Sequence, residues 1–88
     1  MRNVNWSDEK NSQLIAERGI SFEEILYWVG NGGLLDVVRN ESEKYTHQKM
    51  MIVKVNEYAY LVPFVESDEE LFLKTIIPSR KATKKYLK

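Results

Sequence analysis

Apolar positions along this chain follow two periods, and the change between them falls at Gly30-Asn31-Gly32-Gly33. Before the glycines the period is helical: Phe22, Ile25, Leu26 and Val29 recur on one face, with Trp28 alongside. Ser21-Phe22-Glu23-Glu24 is a capping box, and Ile20 and Ile25 occupy the positions of a hydrophobic staple, so a helix is predicted from Phe22 to the glycines. An earlier helix is predicted over residues 8–18. Ser7 can cap it, Asp8 and Glu9 suit its positive end, and Gly19 after Arg18 stops it. Its apolar content is chiefly Leu14 and Ile15, which predicts a surface helix with one narrow stripe turned inward.

After the glycines the period is that of strands. Leu34 to Val38 reads as a short strand, followed by a polar stretch from Arg39 to about Gln48. Met50–Val55 and Tyr58–Val65 then flank Asn56-Glu57 as a tight hairpin, with Tyr58, Tyr60 and Phe64 on one face as core or as an interface. Pro63 has no N–H for a ladder, which predicts an edge, a bulge or a local re-aiming of its strand. The acidic Glu66-Ser67-Asp68-Glu69-Glu70 turn leads into Leu71–Ile77, read as one strand that completes an antiparallel meander. Pro78 ends the sheet and Ser79 caps a final basic helix, while Val4-Asn5-Trp6 offers a further short strand. The expected fold is α+β, with two N-terminal helices, an antiparallel β-meander sheet and a C-terminal basic helix in one domain over residues 1–88.

Composition narrows the chemistry. A chain of 88 residues builds one domain, which at this size buries only ~60% of its unfolded surface. With no cysteine and one histidine, disulfides, thiolate catalysis and Cys-type zinc sites are excluded. The acids sit at helix starts and in a turn, so neither a metal nor another cofactor is expected. The N-terminal residues lack an apolar signal region and no stretch reaches the ~20 apolar residues of a membrane span, which predicts a cytoplasmic chain. Charge is balanced overall at 13 cations and 13 acids, yet five of the cations and none of the acids fall in residues 79–88. Such a split predicts a localised anion site, for RNA or for an acidic partner segment.

Several side chains stand out against this background. In a regular strand, Phe72, Lys74 and Ile76 share a face, so Lys74 interrupts an apolar surface and must reach a cleft, a carboxylate or a sheet edge. Arg80 and Lys81 open a helix whose dipole opposes them by about 0.3–1 kcal/mol each. A phosphate would offset that, and so would full solvation. His47 alone has an ordinary pKa near neutrality, and Tyr86 can stack on a base, donate a proton or pack in the core.

Three segments carry a family resemblance: Trp6-Ser7-Asp8-Glu9-Lys10-Asn11, Arg18-Gly19-Ile20-Ser21-Phe22-Glu23-Glu24, and the stretch from Lys74-Thr75-Ile76-Ile77-Pro78-Ser79 through Arg80-Lys81-Ala82-Thr83-Lys84-Lys85-Tyr86. In order and spacing, over nearly the whole chain, they resemble the BrnT-type toxins of bacterial toxin–antitoxin modules. The resemblance implies a RelE-like fold and a small ribonuclease that cleaves mRNA without a metal and arrests translation. It also implies a cognate DNA-binding antitoxin that holds the toxin inactive in a hetero-oligomer. Cleavage by the 2′-hydroxyl needs a base, a cation for the phosphorane and an acid for the leaving oxygen. By motif match Lys74 and Arg80 take the places of the family's basic residues; His47, for its ordinary pKa near neutrality, and Tyr86 are the candidates for proton transfer. Arg18, Lys49, Lys81 and Lys84 are the candidate substrate-binding residues. Where the family commonly carries Lys-His-Gly, this chain carries Glu17-Arg18-Gly19, and an arginine binds phosphate better than it serves as a base. The alternative is therefore a non-catalytic RNA-binding or antitoxin-binding module that retains the toxin fold.

Overall fold

The computed structural model describes residues 3–39 and 48–87. β1 (Asn3–Trp6) leads into α1 (Asp8–Arg18), where Ser7 Oγ accepts the Lys10 amide at 3.2 Å and Gly19 closes the helix in the left-handed region at φ 67°. In α2 (Phe22–Trp28), Ser21 Oγ accepts the Glu24 amide at 3.1 Å, and Ile20 and Ile25 are both buried, as the staple requires. Val29–Gly33 forms a wide helical turn that hands the chain to β2 (Leu34–Arg39). A Cβ on Gly33 would stand 2.7 Å from the Trp28 carbonyl oxygen and 2.8 Å from that of Lys54, so this approach of turn to sheet needs glycine. β3 (Gln48–Val55) and β4 (Tyr58–Glu66) form the predicted hairpin, with Asn56 at φ 59° in its turn. β5 (Glu70–Leu73), β6 (Ile77–Pro78) and α3 (Arg80–Tyr86) complete the fold.

The strands run in the order β1-β5-β4-β3-β2, with β6 beside β4. The sheet is mixed: β2, β3, β4 and β5 pair antiparallel in the expected meander, and β1 corrects the expectation of a wholly antiparallel sheet by pairing with β5 in parallel, from Asn3 opposite Glu70 to Trp6 opposite Leu73. A parallel neighbour needs a long connection, and α1, α2 and the meander supply it. Val4 and Trp6 alternate toward the core, and the Trp6 ring stacks on Phe22 at 5.5 Å.

The second correction concerns Leu71–Ile77, which is not one strand. The Pro63 carbonyl accepts the Lys74 amide at 2.8 Å. In an extended strand a residue's nitrogen and carbonyl face the same edge, so the donor that Pro63 lacks is missing opposite this same stretch. Pairing stops after Phe64 opposite Leu73 and resumes at Leu61 opposite Ile77, leaving Lys74, Thr75 and Ile76 against Val62 and Pro63. The extra residue shifts the side-chain alternation by one. Ile76 is therefore fully buried while Ile77 is 38% exposed, and Lys74 is an exposed linker residue with its ammonium 5.4 Å from the Phe72 ring centroid. An irregularity thus does occur opposite Pro63, but it is a bulge in the neighbouring strand, while Pro63's own strand is neither an edge nor re-aimed and runs unbroken from Tyr58 to Glu66.

Both faces of the sheet are covered. On one, Leu14, Ile20, Phe22 and Ile25 pack against Met51, Val53, Val55, Val62, Phe64, Leu73 and Ile76. Complete burial of each larger side chain contributes about 1.5–3 kcal/mol. Asn11 locks α1 to α2 there: its Oδ1 accepts the Phe22 amide and its Nδ2 donates to Glu23 Oε1, both at 2.8 Å. On the other face, α3 covers a smaller cluster of Ile52, Ala59 and Ala82, with Leu35, Val38, Leu61, Tyr86 and Leu87 at its margin. None of the described helices is long and apolar enough to cross a membrane.

Candidate functional site

The strand-to-helix corner at Ser79 sets the site. Ser79 Oγ accepts the Ala82 amide at 3.0 Å, and the Ser79 amide donates to the Ala59 carbonyl at 3.0 Å. Thr83 fastens the next turn: its hydroxyl donates to the Ser79 carbonyl at 2.8 Å and accepts the Ala59 amide at 2.9 Å. These bonds lay α3 along β4 with Ala82 buried, and Tyr86, four residues on, shares that side.

Tyr86 reaches beyond the strand beneath it. Its hydroxyl donates to Asp36 Oδ2 on β2 at 2.6 Å, joining positions 50 residues apart. The Asp36 carboxylate also accepts the Val37 amide at 2.8 Å. The Tyr86 bond first, then the Val37 amide, holds the Asp36 carboxyl below its usual range. The same bond, burial and the Asp36 charge push the Tyr86 phenol above its own. A phenol that keeps its proton is a donor and not a base at neutral pH.

Because α3 has seven residues and lies over β4, the adjoining surface of β2 and β3 remains open as a groove of about 440 Å³. Its floor is apolar, from Val38, Met50, Ile52 and Leu61, which are neighbours across the three strands. Lys81 and Lys85, one helical turn apart, line its α3 side, and Arg39 comes from β2. The Lys85 ammonium is 5.4 Å from the Tyr86 ring centroid. Among the described residues, the lining includes three cations and no carboxylate.

The sequence-derived candidates divide around this groove. Lys81 and Tyr86 line it. Arg80 and Lys84, four apart on α3, are exposed and outside the lining. Lys74 lies in the break between β5 and β6. Arg18 serves the opposite side of the sheet: its guanidinium donates to the Ile76 carbonyl and ties the end of α1 to that break. Lys49 pairs with Glu66 at 2.5 Å, on the face of β3 and β4 that carries Met51 and Phe64. His47 lies outside the described residues. Sequence reasoning passed over Asp36, Arg39 and Lys85. A signal existed for two of them: Asp36 is a carboxylate inside the apolar run Leu34-Leu35-Asp36-Val37-Val38, and Lys85 is one turn from Lys81.

Comparison with protein-family models, with curated proteins and with solved structures finds no match to this chain.

Proposed function

We propose that the protein is a toxin of the BrnT type, a metal-independent endoribonuclease with a RelE-like fold that acts on mRNA, blocks translation and is restrained by a cognate DNA-binding antitoxin. The observation that carries this reading is the cation-lined groove. Lys81 and Lys85 belong to the basic stretch on which the family resemblance rests, and Arg39 joins them at one open surface. The hydrogen bond from Arg18 to the Ile76 carbonyl supports it further, because two segments of the resembling series, 58 residues apart, meet there. An RNA backbone suits such a surface, since each cation near a phosphate releases condensed counterions.

A second reading, the binding module without cleavage, is favoured by a separate observation. Tyr86 already donates to Asp36, Arg18 to a main-chain carbonyl, and Lys49 is paired with Glu66. Groups held by the fold's own bonds are available for chemistry only after those bonds break.

Induced expression in bacteria, with translation and RNA integrity followed, separates the two. The toxin reading expects arrest with RNA fragments, and loss of both in folded Lys81→Ala and Lys85→Ala variants. Normal growth with intact RNA at matched soluble levels overturns it and leaves the module.

A further inference from the structure

We infer that the groove beside α3 holds one unpaired nucleotide of a single strand, with the base on the apolar floor and the adjoining phosphates at Lys81, Lys85 and Arg39. The inference rests on the reading of RNA as the target and specifies how that RNA is held. Two chemistries must be satisfied at once. Val38, Met50, Ile52 and Leu61 offer no hydrogen-bonding side chain, so the floor favours a flat, weakly hydrated body. Among the described lining residues, three cations without a carboxylate favour anions next to that body. Lys81 and Lys85 come from α3 and Arg39 from β2, so cations border the floor from two different elements, as the phosphates on either side of one base require. A nucleotide within a strand combines a flat base with two such phosphates.

Size and shape select the single strand. About 440 Å³ lies in the range of roughly 300–1,000 Å³ typical of small-ligand sites, room for a base and its sugar. In a duplex the bases are stacked and turned inward, and a side-chain-lined groove cannot take one without unpairing it. An acidic amphipathic peptide shares the charge, but a docked helix needs a long groove with anchors over several turns. Among the described residues, the floor here is four side chains. The Tyr86–Asp36 hydrogen bond fixes α3 against β2, so the groove is formed before a ligand arrives.

The test is equilibrium fluorescence anisotropy on the full chain with a labelled single-stranded oligoribonucleotide, the same strand annealed to its complement, and an acidic leucine–glutamate peptide. Variants are Lys85→Ala, Arg39→Ala, Met50→Glu and, on α1, Lys10→Ala, each checked by circular dichroism. The single strand is expected to bind at least ~10-fold more tightly than the duplex. Lys85→Ala and Arg39→Ala should each weaken it several-fold and reduce the salt slope by about 0.7. Met50→Glu should weaken it further, and Lys10→Ala should leave it unchanged. Equal affinity for strand and duplex, or a loss with Lys10→Ala as large as with Lys85→Ala, overturns the groove inference and leaves RNA as the target. Binding of neither RNA form overturns both readings, and peptide binding in their place assigns the groove to a protein partner. Lys85→Ala and Arg39→Ala are substitutions at exposed positions, so the test does not depend on Met50→Glu folding.

Discussion

The face of the sheet under α1 and α2 and the face under α3 are built from the same strands, yet they are finished differently. Phe22, Leu14, Ile25, Leu73, Ile76, Val53 and Val62, all less than 2% exposed, belong to the first. Among the described residues, those buried below α3 are Ile52 and two alanines, and beside them lies an open groove with cations along it. Alternation of side chains along β3 and β4 makes this division possible, since each strand supplies large apolar groups to one side and a shallow surface to the other. The comparison teaches that stability and recognition are carried on opposite sides of one sheet. Changes on the first side should unfold the protein, and changes on the second should alter what it binds.

The largest effect that would sharpen this contrast is expected at Phe22. Its ring is completely buried and stacks on Trp6, so it joins α2, β1 and the core in one place. Phe22→Ala should cost about 3–5 kcal/mol in chemical denaturation. Small domains hold only about 5–15 kcal/mol in total, so the variant should be largely unfolded by physiological temperature. A loss under about 1 kcal/mol would show that the first face is not the stabilising one.

Gly33→Ala should be the next largest. The added methyl meets two main-chain oxygens, of Trp28 and Lys54, which cannot rotate away as a side chain would. The turn must then lift from β3, at about 1–3 kcal/mol by analogy with overpacked cores. Thermal denaturation of the variant measures it. An unchanged midpoint would mean that the turn shifts freely, and that the close approach contributes nothing to seating β2.

What the sequence made legible follows from how far each signal reaches. The caps at Ser7, Ser21 and Ser79, the stop at Gly19 and the turn at Asn56 are settled by residues within one helical turn of each other, and each was readable. The break in Leu71–Ile77 was not, because its cause is Pro63 on another strand, and only pairing brings Lys74 opposite it. The parallel place of β1 has the same origin, since nothing within Asn3–Trp6 specifies β5 as neighbour. In the candidate site, the basic residues of α3 were visible as a charge run. Their division into Lys81 and Lys85 at the groove and Arg80 and Lys84 outside it depends on which side of the helix meets the sheet. Ala82 and Tyr86 decide that side, and Tyr86 is held by Asp36 from 50 residues away.

The smallest predicted effect concerns pH, and it compares one carboxylate from each face. Glu23 lies by α1 and α2, held below its ordinary 4.5 first by the Asn11 side chain and then by its own backbone amide. Asp36 lies by α3, held below its ordinary 3.8 first by Tyr86. A carboxyl with a lowered folded value contributes stability that is complete above the unfolded value and disappears as pH falls through the folded one. Tyr86 runs the other way: its value is raised above 10.0, so its contribution is complete below pH 10 and is lost as pH rises through the folded value. The Tyr86–Asp36 bond therefore works across the whole neutral range. Asp36→Asn and Glu23→Gln should each lower the melting temperature only slightly at neutral pH, since both groups are exposed and solvent screens them, and the deficit should vanish as pH falls through the folded values. Only the Asp36 deficit should also narrow in alkali, as the Tyr86 proton leaves, and only Asp36→Asn should weaken ligand binding at the groove. A Glu23→Gln variant with the same alkaline response, or the same loss of binding, would break the separation of the two faces.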